Sequence, residues 1–179
     1  MNNKNINLAI KTLKLLENNT LDKINFEKNF KEEKKNKVNT KKKILVNINN
    51  YFDFLLKKNL SSIEISSTKD MLFEVLMARF DILQLNRKSF IEIYKFLKKN
   101  PNYFIKLLPS FLESMIVTAE LCNYNINGLK GTIRLKGLML VYFVTFFQWM
   151  DDKNISLEKT MTELDKNLDQ AEKFSKFFL

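Results

Sequence analysis

Only three glycines and two prolines punctuate the 179 residues. That scarcity limits the fold more than any motif does. Sheet folds draw on Gly and Pro at many turns, so this chain reads as all-α. A hydrophobic fraction of 45% is enough to build a core and excludes a wholly disordered chain. The most apolar stretch, GLMLVYFVTFFQWM from Gly137, is bracketed by Arg134 and Lys136 before it and by Asp151 and Asp152 after it. A spanning helix needs roughly 20 mostly apolar residues, so no stable membrane insertion is expected. A helix apolar on nearly every face must still be covered all round. The sequence therefore predicts a domain core on one side of it and another subunit on the other.

Composition also excludes several function classes. With no His and the single Cys122, neither a metal site of the zinc type nor an internal disulfide framework is expected. There is no Gly-rich phosphate loop and no Ser or Cys nucleophile beside a visible base. No catalytic residue, cofactor or enzymatic activity is assigned. Cys122 reads as a buried small residue near a helix end. Glu113 and Glu120 are open to two readings, a meeting point for a cationic ligand or two exposed positions on one face. The N-terminal MNNKNINLAIKTLKLLENN spaces its apolar residues rather than running them together, unlike a signal peptide. A cytoplasmic location is expected.

The net charge of +10 is unevenly placed. Residues 1–60 carry 14 Lys against 6 Asp and Glu, while residues 61–179 carry 16 Lys and Arg against 14 acids. The first third holds most of the basicity, as a nucleic-acid-binding head would. Biased codon usage accounts for many lysines, but less well for their imbalance against acids.

Helical periodicity places the elements. A first helix fits Asn5 to Glu17, and a short second one fits Leu21 to about Asn29. KEEKKNK, residues 31–37, has no apolar residue. Thr40 is a plausible N-cap for a helix with Ile44, Leu45, Ile48, Phe52 and Leu55 on its buried stripe. SSIEISS, residues 61–67, is a polar joint dividing a head, 1–60, from a larger domain, 66–179. Further helices start at caps offered by Ser67 or Thr68, by Asn86, by Asn100 with Pro101 at the first helical position, and by Ser156. A bend is expected at Pro109.

The larger part resembles proteins of the TetR family of the alphaproteobacterial type. The stretches TKDMLFEVLMARFDILQLNRKSF, LKGTIRLKGLMLVYFVTFFQWMDD and LEKTMTELDKNLDQAEKF carry the likeness, over about residues 66–176. Such proteins are all-helical homodimers with a small N-terminal helix-turn-helix head and a larger ligand-binding and dimerisation domain. In the head, Leu21 and Ile24 fit the second helix, and VNTK, 38–41, fits the F-x-[ST]-K step opening the fourth. Asn29 stands where the family has its turn glycine. KEEKKNK stands where the recognition helix would be, without its apolar anchors or its Tyr. The head is therefore degenerate: it supports phosphate contact more readily than base discrimination, which usually takes bidentate Arg, Asn or Gln.

The resemblance implies binding to double-stranded DNA through Lys31, Lys34, Lys35, Lys37, Thr40, Lys41, Lys42 and Lys43. It also implies a small apolar ligand or lipid, with Phe80, Phe104, Leu108, Phe111, Met115, Val144 and Phe147 lining a cavity. Plain core packing is the other reading of those residues. Homodimerisation is expected through Met139, Phe143, Phe146 and Met150, with Met161, Leu164 and Leu168, whose spacing of three and four is that of a helix seam. A lipid-binding accessory family of ubiquinone biosynthesis, also TetR-like in fold, is a second resemblance and implies no operator binding. An unspecified helical interaction protein is the third reading.

Overall fold

The computed structural model describes residues 1–24, 40–60 and 67–178. Among these, seven helices and no strand are present: α1 Asn3–Leu16, α2 Thr40–Asn59, α3 Thr68–Leu85, α4 Arg87–Lys99, α5 Pro101–Leu121, α6 Gly128–Asp151 and α7 Glu158–Phe178. The all-α class is thus what the structure shows. Residues 21–23 form a turn and Ile24 is not helical, so the expected second helix is absent there; its residues from 25 on, KEEKKNK and most of the joint at 61–67 lie outside the described residues.

Local chemistry sets several helix starts. Asn2 caps α1, its side chain accepting the Asn5 N–H at 2.9 Å, which satisfies one of the orphan donors of the first turn. At α3, Ser67 rather than Thr68 supplies the cap. Its hydroxyl accepts the Asp70 N–H at 3.1 Å and donates to the Asp70 carboxylate at 2.6 Å. Asn100 joins two helices: its side-chain amide donates to Phe96 O at 2.9 Å, and its carbonyl accepts the Tyr103 N–H. Pro101 then takes the first position of α5, where its missing N–H costs nothing.

The start of α7 departs from the sequence reading. Ser156 donates to Glu158 Oε1, but the buried carboxylate of Asp152 does the capping. Its Oδ2 accepts both the Thr160 N–H and the Thr160 hydroxyl at 2.9 Å, and its Oδ1 accepts the Asn154 N–H at 3.1 Å. Leu157, directly before α7, is buried with φ of 53°. A non-glycine residue holds that left-handed conformation at a cost, here offset by burial of its side chain.

The chain divides into two compact units. One comprises Met1–Phe54 and Leu85–Ser110, the other Leu55–Gln84 and Phe111–Leu179. Residues 85–110, which the sequence reading places in the larger C-terminal part, group with the N-terminal residues. In the first unit, Ala9, Leu13, Leu16, Ile44, Ile48 and Phe52 are core residues. Phe52 meets Phe90 edge to face, with ring centroids 4.7 Å apart. Side-chain bonds to backbone lock the helices together: Asn47 to Asn5 O at 2.8 Å, the buried Ser89 to Leu13 O at 2.8 Å, and Asn49 to Ser110 O at 3.0 Å.

In the second unit, α6 and α7 pack along each other, burying Leu135, Leu138, Val141 and Trp149 with Leu164 and Leu168. Asn167 donates to Thr145 Oγ1 at 3.2 Å, and the Trp149 indole donates to Gln84 at 3.1 Å. Lys69 of α3 reaches both Asp165 and Asp169 of α7, at 2.8 and 2.6 Å. Gly131 is buried because the Ile126 backbone lies where a Cβ would stand. No helix among the described residues is long and apolar enough to cross a membrane.

Candidate nucleic-acid interface

The division into units sharpens the charge asymmetry. The first unit contains 18 Lys and Arg against 7 Asp and Glu, a net of +11. The second contains 12 against 13, a net of −1. All the excess positive charge of the chain therefore sits on one unit. A split at residue 60 places Arg87, Lys88, Lys95, Lys98, Lys99 and Lys106 on its C-terminal side, whereas the compact units group them with the N-terminal residues. These six cations come with one acid, Glu92. The signal was present as the run of cations through α4, but only tertiary structure assigns that helix to the basic unit.

Within this unit α2 begins TKKKILV, with no acidic side chain in its first turn. Of the expected phosphate-binding residues, Lys41, Lys42 and Lys43 lie in that turn, and Thr40 is its first residue. Lys31, Lys34, Lys35 and Lys37 lie outside the described residues. The Lys41 ammonium is engaged: it pairs with Asp22 Oδ1 at 3.2 Å and sits 5.2 Å from the centre of the Phe96 ring. Phe96 in turn meets Tyr103 edge to face at 5.1 Å, and Lys106 stands 5.8 Å over the Tyr103 ring. Two touching rings thus stand between two lysines across α2, α4 and α5. Lys43, Lys98 and Lys99 are exposed and Lys42 is half-buried, whereas Lys95 is paired with Glu92 at 2.7 Å. Such an arrangement attracts polyanions and holds one lysine in a fixed place.

The expected ligand-pocket residues do not form one set. Phe104 and Leu108 belong to the first unit, while Phe80, Phe111, Met115, Val144 and Phe147 belong to the second. Phe80 and Met115 are fully buried, with Phe80 stacked on Tyr142 at 5.6 Å. Phe111 meets Phe143 edge to face at 5.5 Å. Val144 and Phe147 stand at the surface instead. Sequence reasoning missed Arg79, which is buried between α3 and α5 of the second unit. Its Nη2 donates to Ser114 O at 3.2 Å and Thr118 Oγ1 at 3.1 Å, and its guanidinium lies 5.9 Å from the Tyr142 ring centre.

Of the expected dimer residues, Met139, Phe143, Phe146 and Met150 are half-buried and Met161 is exposed. Leu164 and Leu168 are buried within the chain's own second unit, so the seam they form is filled before any partner arrives. Cys122 is buried, and burial, with a smaller contribution from Glu74, pushes its thiol up to about 12. Glu113 and Glu120 are both exposed, and Glu120 pairs with Lys57 at 3.7 Å. Against known proteins, the chain matches no family model and no curated sequence.

Proposed function

We propose that the chain is a TetR-like transcriptional regulator whose basic unit docks on the phosphate backbone of double-stranded DNA. One observation carries this reading, the concentration of a net +11 on one compact unit while the other is near neutral. A charge field of that kind speeds association with polyanions and gives salt-sensitive affinity. Lys42 and Lys43, at the start of α2, are the proposed phosphate contacts, aided by the partial positive charge of the helix N-terminus. Lys41, held by Asp22 and Phe96, fixes the angle of that turn rather than meeting DNA directly. Lys98 and Lys99 extend the basic surface.

The second unit is left to a small apolar ligand and to a second copy of the chain. Its clustered aromatic rings and the charged, buried Arg79 suit an apolar ligand that carries one polar group. No catalytic step is assigned.

Each phosphate neutralised adds about 0.9 to the slope of log affinity against log salt. Replacing Lys42 and Lys43 by Gln should therefore flatten that slope by up to about 2. Lys57 and Lys58 of the second unit, replaced in the same way, should leave it unchanged. Equal effects from the two pairs would refute the assignment to the first unit. Binding to anionic liposomes alone, through the same lysines, would favour the lipid-binding reading.

A further inference from the structure

The first half of α5 has two unlike sides. On one, Leu107 and Ser110 are buried and Tyr103 lies against Phe96. The opposite side carries Pro101, Phe104, Ile105 and Leu108, whose i, i+3, i+4, i+7 spacing makes one stripe of the helix. Every member is apolar, yet Ile105 is 61% exposed and Phe104 36%, with Pro101 exposed and Leu108 half-buried. The sequence reading gives Phe104 and Leu108 to a ligand cavity, whereas the helix sets them on this outer stripe. Apolar residues scattered singly over a surface need no explanation, but four that fill one face of a helix mark an interaction site.

The surroundings fix the charge of what covers it. From Ile93 to Leu112 the chain carries Lys95, Lys98, Lys99 and Lys106 and no acid. Lys95 is paired with Glu92, but Lys98 and Lys99 are exposed at the end of α4, directly before the stripe, and Lys106 is exposed next to Ile105. The first turn of α5 also lacks an acid, so the positive pole of the helix adds to the same field. A partner must therefore offer apolar side chains to the stripe and negative charge around them.

Duplex DNA supplies the charge alone and would set phosphates against Phe104 and Ile105. A bilayer supplies both, but helices that lie on one are often about 20–30 residues long and carry their basic residues on their own polar face. This stripe spans two turns, roughly 10 Å, and the side opposite it is core. An amphipathic helix matches the stripe in length and spacing, because such helices are held through anchors at i, i+3, i+4 and i+7.

We propose that the outer face of α5, from Pro101 to Leu108, docks an amphipathic helix of another protein whose apolar stripe is flanked by Asp and Glu. Phe104 and Ile105 are the central anchors, packed between the partner's apolar side chains as ridges pack into grooves. Lys98, Lys99 and Lys106 at the rim meet the acidic flanks, and govern encounter rate and choice of partner more than affinity. This surface goes beyond the DNA reading and does not depend on it.

The probe is a labelled synthetic peptide about two heptads long, with Leu at i, i+3, i+4 and i+7 and Glu on both flanks. It would be titrated into the full chain without DNA and followed by fluorescence anisotropy. Binding with a Kd on the order of micromolar is expected, and Ile105→Asp should weaken it about tenfold or more. Ile105→Gln, which adds no charge, should weaken it too, and both variants should keep the wild-type circular dichroism. Replacing Lys98 and Lys99 by Gln should slow association and reduce its salt dependence. Leu140→Asp, at an exposed apolar position of the second unit, should leave the affinity unchanged. The same peptide with Lys in place of Glu should bind about tenfold more weakly or not at all. No binding of the Glu peptide, equal binding of the Lys peptide, or an affinity indifferent to Ile105→Asp would each overturn the proposal. So would anionic phosphatidylglycerol vesicles that bind the wild type but not Ile105→Asp while the peptide binds neither, since the face would then be a membrane surface.

Discussion

Removing the Asp152 carboxylate should weaken the fold through the first turn of α7. Four N–H groups at a helix start have no partner within the helix, and Asp152 satisfies that of Thr160 from outside it. The same carboxylate also accepts the Thr160 hydroxyl and the Asn154 N–H. Losing a cap costs about 1 kcal/mol, and a hydrogen bond to a charged group is worth about 1.5–3 kcal/mol. These contributions overlap, so Asp152→Ala is expected to cost about 3 kcal/mol in all. For a chain of this size each kcal/mol shifts Tm by about 2–4 °C, giving a fall of about 6–12 °C in thermal unfolding followed by circular dichroism.

The effect should depend on pH. Burial by itself would push the Asp152 carboxyl up, but hydrogen bonds from the Thr160 and Asn154 N–H groups, the Thr160 hydroxyl and the Lys159 N–H hold it below the usual carboxylate range. A carboxyl lowered by folding stabilises the native state above its unfolded pKa of about 3.9. That contribution is lost as pH falls through the folded value. The wild-type advantage over Asp152→Asn should therefore be complete at pH 7 and shrink below about pH 4. A Tm change under 2 °C at neutral pH, or an advantage that grows on acidification, would refute this account of the cap.

Gly131→Ala would drive a Cβ into the Ile126 backbone, which cannot give way as a side chain can, so a loss of about 2–3 kcal/mol in chemical denaturation is expected. Arg79→Ala should cost about 2–4 kcal/mol through lost packing and the partners left behind; Arg79→Lys should recover only part, since an ammonium lacks the guanidinium fork. Cys122 should resist alkylation at neutral pH until the protein is unfolded, because its thiol is buried and pushed up to about 12.

Much of the helical layout was legible because its signals are local. Pro101 stands at the first position of α5, where its fixed φ suits a helix start, and α2 begins at Thr40, one residue earlier than a cap at that threonine would place it. The buried stripe of α2 follows the 3.6 period, although Leu56 is the buried residue and Leu55 only half-buried. What was not legible depends on partners distant in sequence. Asp152 caps a helix that starts beyond Ser156, and a short-range rule points to the serine. The spacing of Leu164 and Leu168 fits a seam with α6 of the same chain as well as one with a second subunit, since periodicity records a buried face but not what covers it. Equally, the cations of α4 cannot be assigned to the basic unit until the fold brings that helix beside α1, where Ser89 donates to Leu13 O.

The claim that the first unit exists to meet DNA is tested most directly by competition binding at two salt concentrations. The purified protein would be titrated with a labelled duplex from its own upstream region and competed with random duplex at 50 and 200 mM salt. With six or more phosphates neutralised, affinity should fall by a factor on the order of 10³ between those concentrations. A regulator should also prefer its own upstream sequence by about a thousandfold or more. Affinity that does not change with salt, or equal affinity for the two duplexes, would contradict the account.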